Sequence, residues 1–440
     1  MKKLIFLGVV VLMALFPSPQ RRLVDLISGG PAPGFAVAWP AARYVLEPFA
    51  GAAEYFLSFT RYMVQLSSWM FWLLLLAFAA GFYKKERRTA MFLRALRFEL
   101  IFLSAVVLCL ILPFSAPRLN APENFRLVDF HSHTFYSHDG LVSPEQSLLY
   151  HRNLGFDSFF VTEHGHTASF AWFPATEQLN TVFPGMQVST TERVSLLILV
   201  GRPFDGAPYL HKSVKDVIEL AHRDGFVAVC PHWWKWRYFS WEQLYEYGID
   251  GFEVYNAGYR KFSPEERQSL IAFCKEKKLL ALGSTDWHGW GYMSNVWTAL
   301  ERTGDMKTLP FDALKRHSHT SVLVLERPNE IQNTFRYVFE PFFGAYYYFG
   351  SFTFRQAAAW ALWAALLALI FMNPFLRGLS GFLPAVLAAV FVLLCAWSLI
   401  LWVPLLPENQ ILGKLLAPVF LGLAAGWLIV YKFRNKTTAP

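Results

Sequence analysis

The chain alternates between two kinds of hydrophobic patterning. Towards both ends the apolar residues come in nearly unbroken runs, at about 4–16, 63–83, 98–114, 356–376, 381–404 and 411–431. Most approach the roughly 20 apolar residues that a helix needs to cross a bilayer, so the pattern predicts about six transmembrane α-helices. Between about 118 and 335 the pattern shortens. Strand-like segments (FRLVDF, FDSFFVTEH, VSLLILVG, FVAVCPH, IDGFEVYN, LLALGSTDWH) alternate with helical ones (SPEQSLLYHRNLG, SVKDVIELAHRDG, SWEQLYEYG, SPEERQSLIAFCKEKK). Ser143 is placed as the N-cap of the first helix and Gly155 as its stop. Repeated strand–helix units predict an α/β domain with a parallel sheet, open or closed into a barrel. The expected organisation is a membrane region over 1–117, a soluble domain over 118–335 and a second membrane region over 336–440.

A repeat supports that division. RYVLEPFAGAAEYFLSFT at 43–60 and RYVFEPFFGAYYYFGSFT at 336–353 agree at 13 of 18 positions, at a constant offset of 293. Each copy precedes an apolar run, which implies two parallel-related membrane units, each with an aromatic segment at the headgroup level. Orientation follows from Lys and Arg. The loop KKERRTAMFLRALR, the start MKK and the tail YKFRNK are basic and belong in the cytoplasm, which places 115–355 outside. Arg21 and Arg22 oppose this, but the six basic residues of the loop outnumber them. The first run reads as a signal peptide or an anchor. The absence of a small-x-small site in LFPSPQ favours the anchor. The expected location is an integral protein of a bacterial inner membrane, in contact with its lipids, with the soluble domain on the periplasmic or extracellular side.

Composition changes the picture little. A chain that is 54% hydrophobic and 17% aromatic excludes disorder. The net charge of +8 sits largely beside the apolar runs, so it is a topology signal and no nucleic-acid partner is expected. Cys109, Cys230, Cys274 and Cys395 form no CxxC, and free thiols are favoured over a Cys230–Cys274 bridge.

The histidines change it more. All 12 fall between His131 and His319. His131 and His133, His164, His232, Glu253 and Asn256, and Asp286 and His288 all come at the ends of expected strands, where β/α barrels gather their chemistry. In H-x-H, alternate residues point the same way and can reach one ion. Imidazole and carboxylate together suit Zn, Mn or Fe.

At these residues the domain resembles the PHP family, named for polymerase and histidinol phosphatase. The motifs are DFHSHTFYSHDG, TEHG, CPHWW, FEVYN and STDWH, with Glu163 where the family has Asp. The resemblance implies a distorted seven-stranded β/α (TIM-like) barrel. It also implies two or three divalent ions held by His131, His133, Asp139, His164, Glu192, His232, Asp286 and His288. Either His138 or Asp139 can fill the third place, and Asp139 is chosen because it precedes the turn glycine. Glu192, in STTERV, would bridge ions, and Glu253 is expected behind the ligands. His166 and Asp286 are candidate proton donors, and Arg193, Arg237, Arg260 and Asn256 candidate substrate contacts. Paired ions activate water for hydrolysis. The expected activity is a membrane-anchored phosphoesterase acting on a mono- or diester, either a phosphorylated small molecule or a lipid-linked or sugar phosphate. An amide or ester hydrolase and a non-catalytic sensing module are the alternatives.

Overall fold

The computed structural model describes residues 22–40, 117–140, 142–174, 181–258, 262–289, 295–302, 320–326 and 353–372, with a few isolated positions besides. The chain divides into two compact units. One comprises Met1–Gln20, Ala41–Ser115 and Arg327–Pro440, and the other Arg21–Pro40 and Ala116–Glu326.

The second unit is a mixed α/β structure with one large sheet. The segment 21–40, which the sequence assigned to the membrane region, supplies three of its strands: β1 (Arg22–Asp25), β2 (Gly30–Pro31) and β3 (Ala36–Ala38). β3 pairs with β4 (Arg118–Asn120) in a small second sheet. Seven strands then lie side by side in chain order: β5 (Phe125–Asp129), β6 (Ser158–His164), β7 (Val182–Ser189), β8 (Ser195–Leu199), β9 (Val227–Cys230), β10 (Gly251–Asn256) and β11 (Leu280–Ser284). β12 (Val296–Glu301) and β13 (Thr320–Glu326) follow on the other side of β5, then β1 and β2, which makes an eleven-stranded sheet.

The sheet is not uniformly parallel, as the strand–helix alternation had predicted. β8 runs antiparallel to both β7 and β9. The reason is the connection. Parallel neighbours need a crossover of a dozen or more residues, whereas β7 and β8 are joined by the tight turn Thr190–Val194, closed by Thr190 N donating to Val194 O at 2.9 Å, with Arg193 at φ 62°. The strand pattern had also passed over β7, whose Pro184–Gly185 reads as a turn.

Four helices follow the expected segments: α1 (Pro144–Leu154), α2 (Val214–Arg223), α3 (Trp241–Glu246) and α4 (Pro264–Lys277). Each starts at a serine, Ser143, Ser213, Ser240 or Ser263, whose hydroxyl accepts from the third helical backbone N–H. Such caps contribute about 1 kcal/mol each. Gly155 ends α1 at φ 92°, a left-handed stop open to glycine at little cost. Val128, Phe130, Phe160, Leu197, Leu199, Val229 and Leu282 form the core between the strands. Each such burial contributes roughly 1.5–3 kcal/mol. Cys230 and Cys274 are buried free thiols.

The first unit is described at fewer positions. Its helix α5 (Phe354–Met372) covers much of the run expected at 356–376. Among the described residues no helix is long and apolar enough to cross a membrane. The runs at 4–16, 98–114, 381–404 and 411–431, and most of 63–83, lie outside the described residues. Glu47, from the first copy of the repeat, is buried and accepts from the Tyr348 hydroxyl of the second copy and from Gln356 Nε2, both at 3.0 Å.

Candidate metal centre

The segments that follow β5 and β11 run side by side and bring two motifs together. Asp286 N donates to His131 O, and His133 N to Trp287 O, both at 2.8 Å, around a bridge between Ser132 and Trp287. His131 and His133 therefore share a side with Asp286, and all three are buried. Asp286 (φ 50°) and His232 (φ 31°) hold left-handed backbone, a strain that concentrates at functional sites.

One group of donors forms a near-regular triangle. His131 Nε2 lies 3.0 Å from His133 Nε2 and 3.1 Å from Asp286 Oδ1, and His133 Nε2 lies 3.4 Å from the same oxygen. Tetrahedral bonds of about 2.0–2.1 Å place neighbouring ligand atoms about 3.3–3.4 Å apart, so the triangle fits one face of such a site. A second group centres on Asp139, whose Oδ1 lies 3.4 Å from His164 Nε2 and 3.3 Å from His288 Nε2. His133 joins the two groups, with its ring stacked on those of His164 and His288 at 4.5 and 4.2 Å.

The outer ring nitrogens decide which atoms face inward. His131 Nδ1 donates to Glu253 Oε1 at 2.9 Å, and His288 Nδ1 to Asp286 O at 2.8 Å. His133 Nδ1 lies 3.0 Å from Ser137 Oγ, which itself donates to Glu163 Oε2 at 2.5 Å, so the imidazole is again the donor. In its neutral form each ring turns an Nε2 lone pair towards a carboxylate oxygen or another lone pair. That arrangement is repulsive without positive charge between the atoms, and it fits a cation. Glu163 is buried and braces the loop through the Thr134 N–H and hydroxyl. Gly140 closes that loop where a Cβ would come within 1.9 Å of Thr134 O.

The titration directions agree. Burial opposes a charge on His131, but Asp286 and Glu253 outweigh it and raise its pKa to about 9. Burial and the neighbouring His288 and His164 hold His133 well below its ordinary value. Burial lowers His164 and takes His232 down to about 3. Burial alone would raise Asp286 and Asp139, but the surrounding imidazoles pull both below the usual carboxylate range.

No family model and no curated protein matches the sequence. Solved structures match part of it at low identity. A proposed metal-dependent phosphoesterase of Bifidobacterium adolescentis is 19% identical over 43% of this chain and 94% of its own, with a TM-score of 0.34. A two-domain protein of Bacteroides vulgatus containing a predicted PHP-like metal-dependent phosphoesterase is 21% identical over 49% of this chain and 69% of its own, with a TM-score of 0.38. An amidohydrolase of Chromobacterium violaceum, solved with sulfate and no metal, is 13% identical over 45% of this chain and 98% of its own, with a TM-score of 0.32.

Of the eight expected ligands, six fall into donor groups among the described residues: His131, His133, Asp139, His164, Asp286 and His288. His138 also stands close to Asp139 and His164, but it is largely exposed. Glu192 is not with them. Its Oε2 accepts from Thr191 Oγ1 and from the N–H of Val214, the first residue of α2. The strand before it delivers Gln187 to the site instead, with Oε1 at 3.1 Å from His131 Nε2. His232 lies beyond Gln187, 3.4 Å away. Glu253 stands behind His131 as expected, and Asn256 donates to Glu253 Oε2 at 2.8 Å. Arg193 is exposed, Arg237 is paired with Glu266 at 2.7 Å, and Arg260 lies outside the described residues. His166 Nε2 donates to Tyr136 O at 3.0 Å.

Lys235, which the sequence reading overlooked among the tryptophans, is the cation on which both Asp286 and Asp139 act. Burial lowers its pKa, and the two carboxylates pull the other way. Its Nζ lies 4.6 Å from the centre of the Trp236 ring.

Proposed function

We propose that the chain is a metal-dependent phosphoesterase whose hydrolase domain is a distorted β/α barrel tethered to a bacterial inner membrane. The observation that carries this reading is two adjoining sets of donors, His131 and His133 about Asp286 and His164 and His288 about Asp139, with the His133 ring stacked on the second pair. His131, His133 and Asp286 would hold one divalent ion, and Asp139, His164 and His288 a second. Such ions supply Lewis acidity and bring the pKa of a water near neutrality.

The chain's own residues do the rest. Glu253 and Ser137 fix the ring tautomers and so keep Nε2 available. Lys235 contributes a positive charge for an anionic substrate. Asp286 and His166 are the candidates to move a proton, and His166 is anchored at Tyr136 O. The leaving group would rest against the rim, where Trp172, 63% exposed, lies beside Tyr136. Flat apolar rings there suit a sugar or a lipid-linked phosphate. The basic loop at 84–97 and the apolar runs on either side of the domain support membrane tethering with the domain outside.

The test is hydrolysis by the full-length protein in detergent, stripped with a chelator and reloaded with Mn, Zn or Fe. Phosphate monoester, phosphodiester and carboxylic ester chromogenic substrates are compared, with Asp286→Ala as control. Phosphate-ester turnover that requires metal and falls at least about 10²-fold in the variant is the expected result, since losing a ligand removes the Lewis acid. Turnover of the carboxylic ester alone would replace this reading with an acyl hydrolase.

A further inference from the structure

Gln187 fills the space between His131 and His232. Its Oε1 is 3.1 Å from His131 Nε2 and its Nε2 is 3.4 Å from His232 Nε2. The side chain is buried, with 4% of its surface exposed. An amide carries no charge, and its NH2 end only donates. Facing His232, it sets a donor against the ring nitrogen that a cation would use.

The next strand offers nothing in exchange. Leu197 lies directly opposite Gln187 across β7 and β8, and opposite Val229 across β8 and β9. Residues directly opposed in a sheet share a face, so the wall at this register is an amide flanked by aliphatic side chains. Correspondingly, His232 enters none of the three donor groups found among the described residues, although it ends a strand as the other candidates do.

We propose that Gln187 and Leu197 close the position beside His232 to metal, so that the centre holds two divalent ions and not three. One sits with His131, His133 and Asp286, the other with His164 and His288 about Asp139 Oδ1. This rests on the metal-hydrolase reading above. Charge supports it: Asp286 stands among the first set of nitrogens and Asp139 among the second, and no donor group joins a carboxylate to His232 among the described residues. Adding a divalent charge against a buried amide and aliphatic side chains, with no carboxylate ligand of its own, is unfavourable. His232 instead serves position, its backbone N–H donating to Glu253 Oε2 at 2.9 Å and so steadying the carboxylate that orients His131.

The experiment counts metal and does not depend on turnover. Tag-free full-length protein is stripped, reloaded with excess Mn or Zn, desalted and measured by inductively coupled plasma mass spectrometry. The wild type should retain two ions per chain, one at Asp286 and one at Asp139. His232→Ala should keep both, whereas His164→Ala and Asp286→Ala should each lose one. The double variant Gln187→Glu/Leu197→His, which supplies a carboxylate and an imidazole beside His232, should gain an ion. Three ions in the wild type, or an ion lost in His232→Ala, overturns the proposal and leaves the hydrolase reading standing. No bound ion at all overturns both. If the double variant fails to fold, the His232→Ala count decides alone.

Discussion

His131 depends on Glu253 for its orientation. The carboxylate accepts from Nδ1–H at 2.9 Å, and its other oxygen accepts from His232 N and Asn256 Nδ2. Removing such a partner typically costs 10–100-fold in metal affinity, because the ligand loses its tautomer and its aim. Glu253→Ala should therefore bind Zn about 10–100-fold more weakly in a chelator competition, with an unchanged circular dichroism spectrum; unchanged affinity would mean that Glu253 does not set the ring. The same pair makes metal uptake depend on pH. His131, raised to about 9, is protonated at neutrality when no ion is bound, and an ion can bind Nε2 only after that proton leaves. Protons thus compete with metal below the raised pKa. Affinity should rise by about tenfold per pH unit from neutrality towards pH 9 and then level off. Titration calorimetry in buffers of different ionisation enthalpy should register at least one proton released at pH 7, and none from His131 at pH 10.

At the scale of elements, the sequence was informative where ligands mark strand ends and silent where backbone breaks the pattern. His131, His133, His164, Asp286 and His288 were legible because H-x-H, TEH and D-x-H close recognisable apolar segments. β7 was not, since proline and glycine are rare inside strands, and with β7 went Gln187. The bridging glutamate was consequently sought at Glu192, which caps α2. Lys235 was hidden because aromatic neighbours carry no charge pattern. The N-terminal strands were hidden for another reason: β1 pairs with β13, about 300 residues away in the chain, and no local periodicity records such pairing. That pairing has a stability consequence. Asp25, at the end of β1, is buried and accepts from the N–H of Val322 in β13 at 3.1 Å. Leaving that buried N–H without its acceptor costs about 1–3 kcal/mol. A fragment spanning 116–326 alone should unfold at lower urea than one with 21–40 joined through a flexible linker, and should self-associate through the open β13 edge. Equal midpoints and equal elution volumes would show that the N-terminal strands add nothing.

Across the whole molecule, the same strand pairing constrains topology. β1 and β13 exchange backbone hydrogen bonds from Arg22 opposite Glu326 to Asp25 opposite Leu323, and β3 pairs with β4 from Ala36 opposite Asn120 to Ala38 opposite Arg118. Strands of one sheet share a compartment, so residues 22–40 and 117–326 lie on the same side of any membrane. The intervening segment 41–116 must then cross an even number of times, and the two apolar runs expected at 63–83 and 98–114 satisfy that parity. The basic loop 84–97 between them would lie on the opposite face. This adds a constraint to the charge rule: Arg22, which with Arg21 argued weakly for the cytoplasm, lies in β1 and so shares the compartment of the donor groups. Single cysteines at Ser28, in the turn after β1, and at Thr89, in the basic loop, separate the cases in intact bacterial cells. A membrane-impermeant maleimide should label Ser28→Cys at once and Thr89→Cys only after the membrane is opened. Labelling of both from one side would show that 63–83 does not cross, and the reverse pattern would place the domain that carries the donor groups in the cytoplasm.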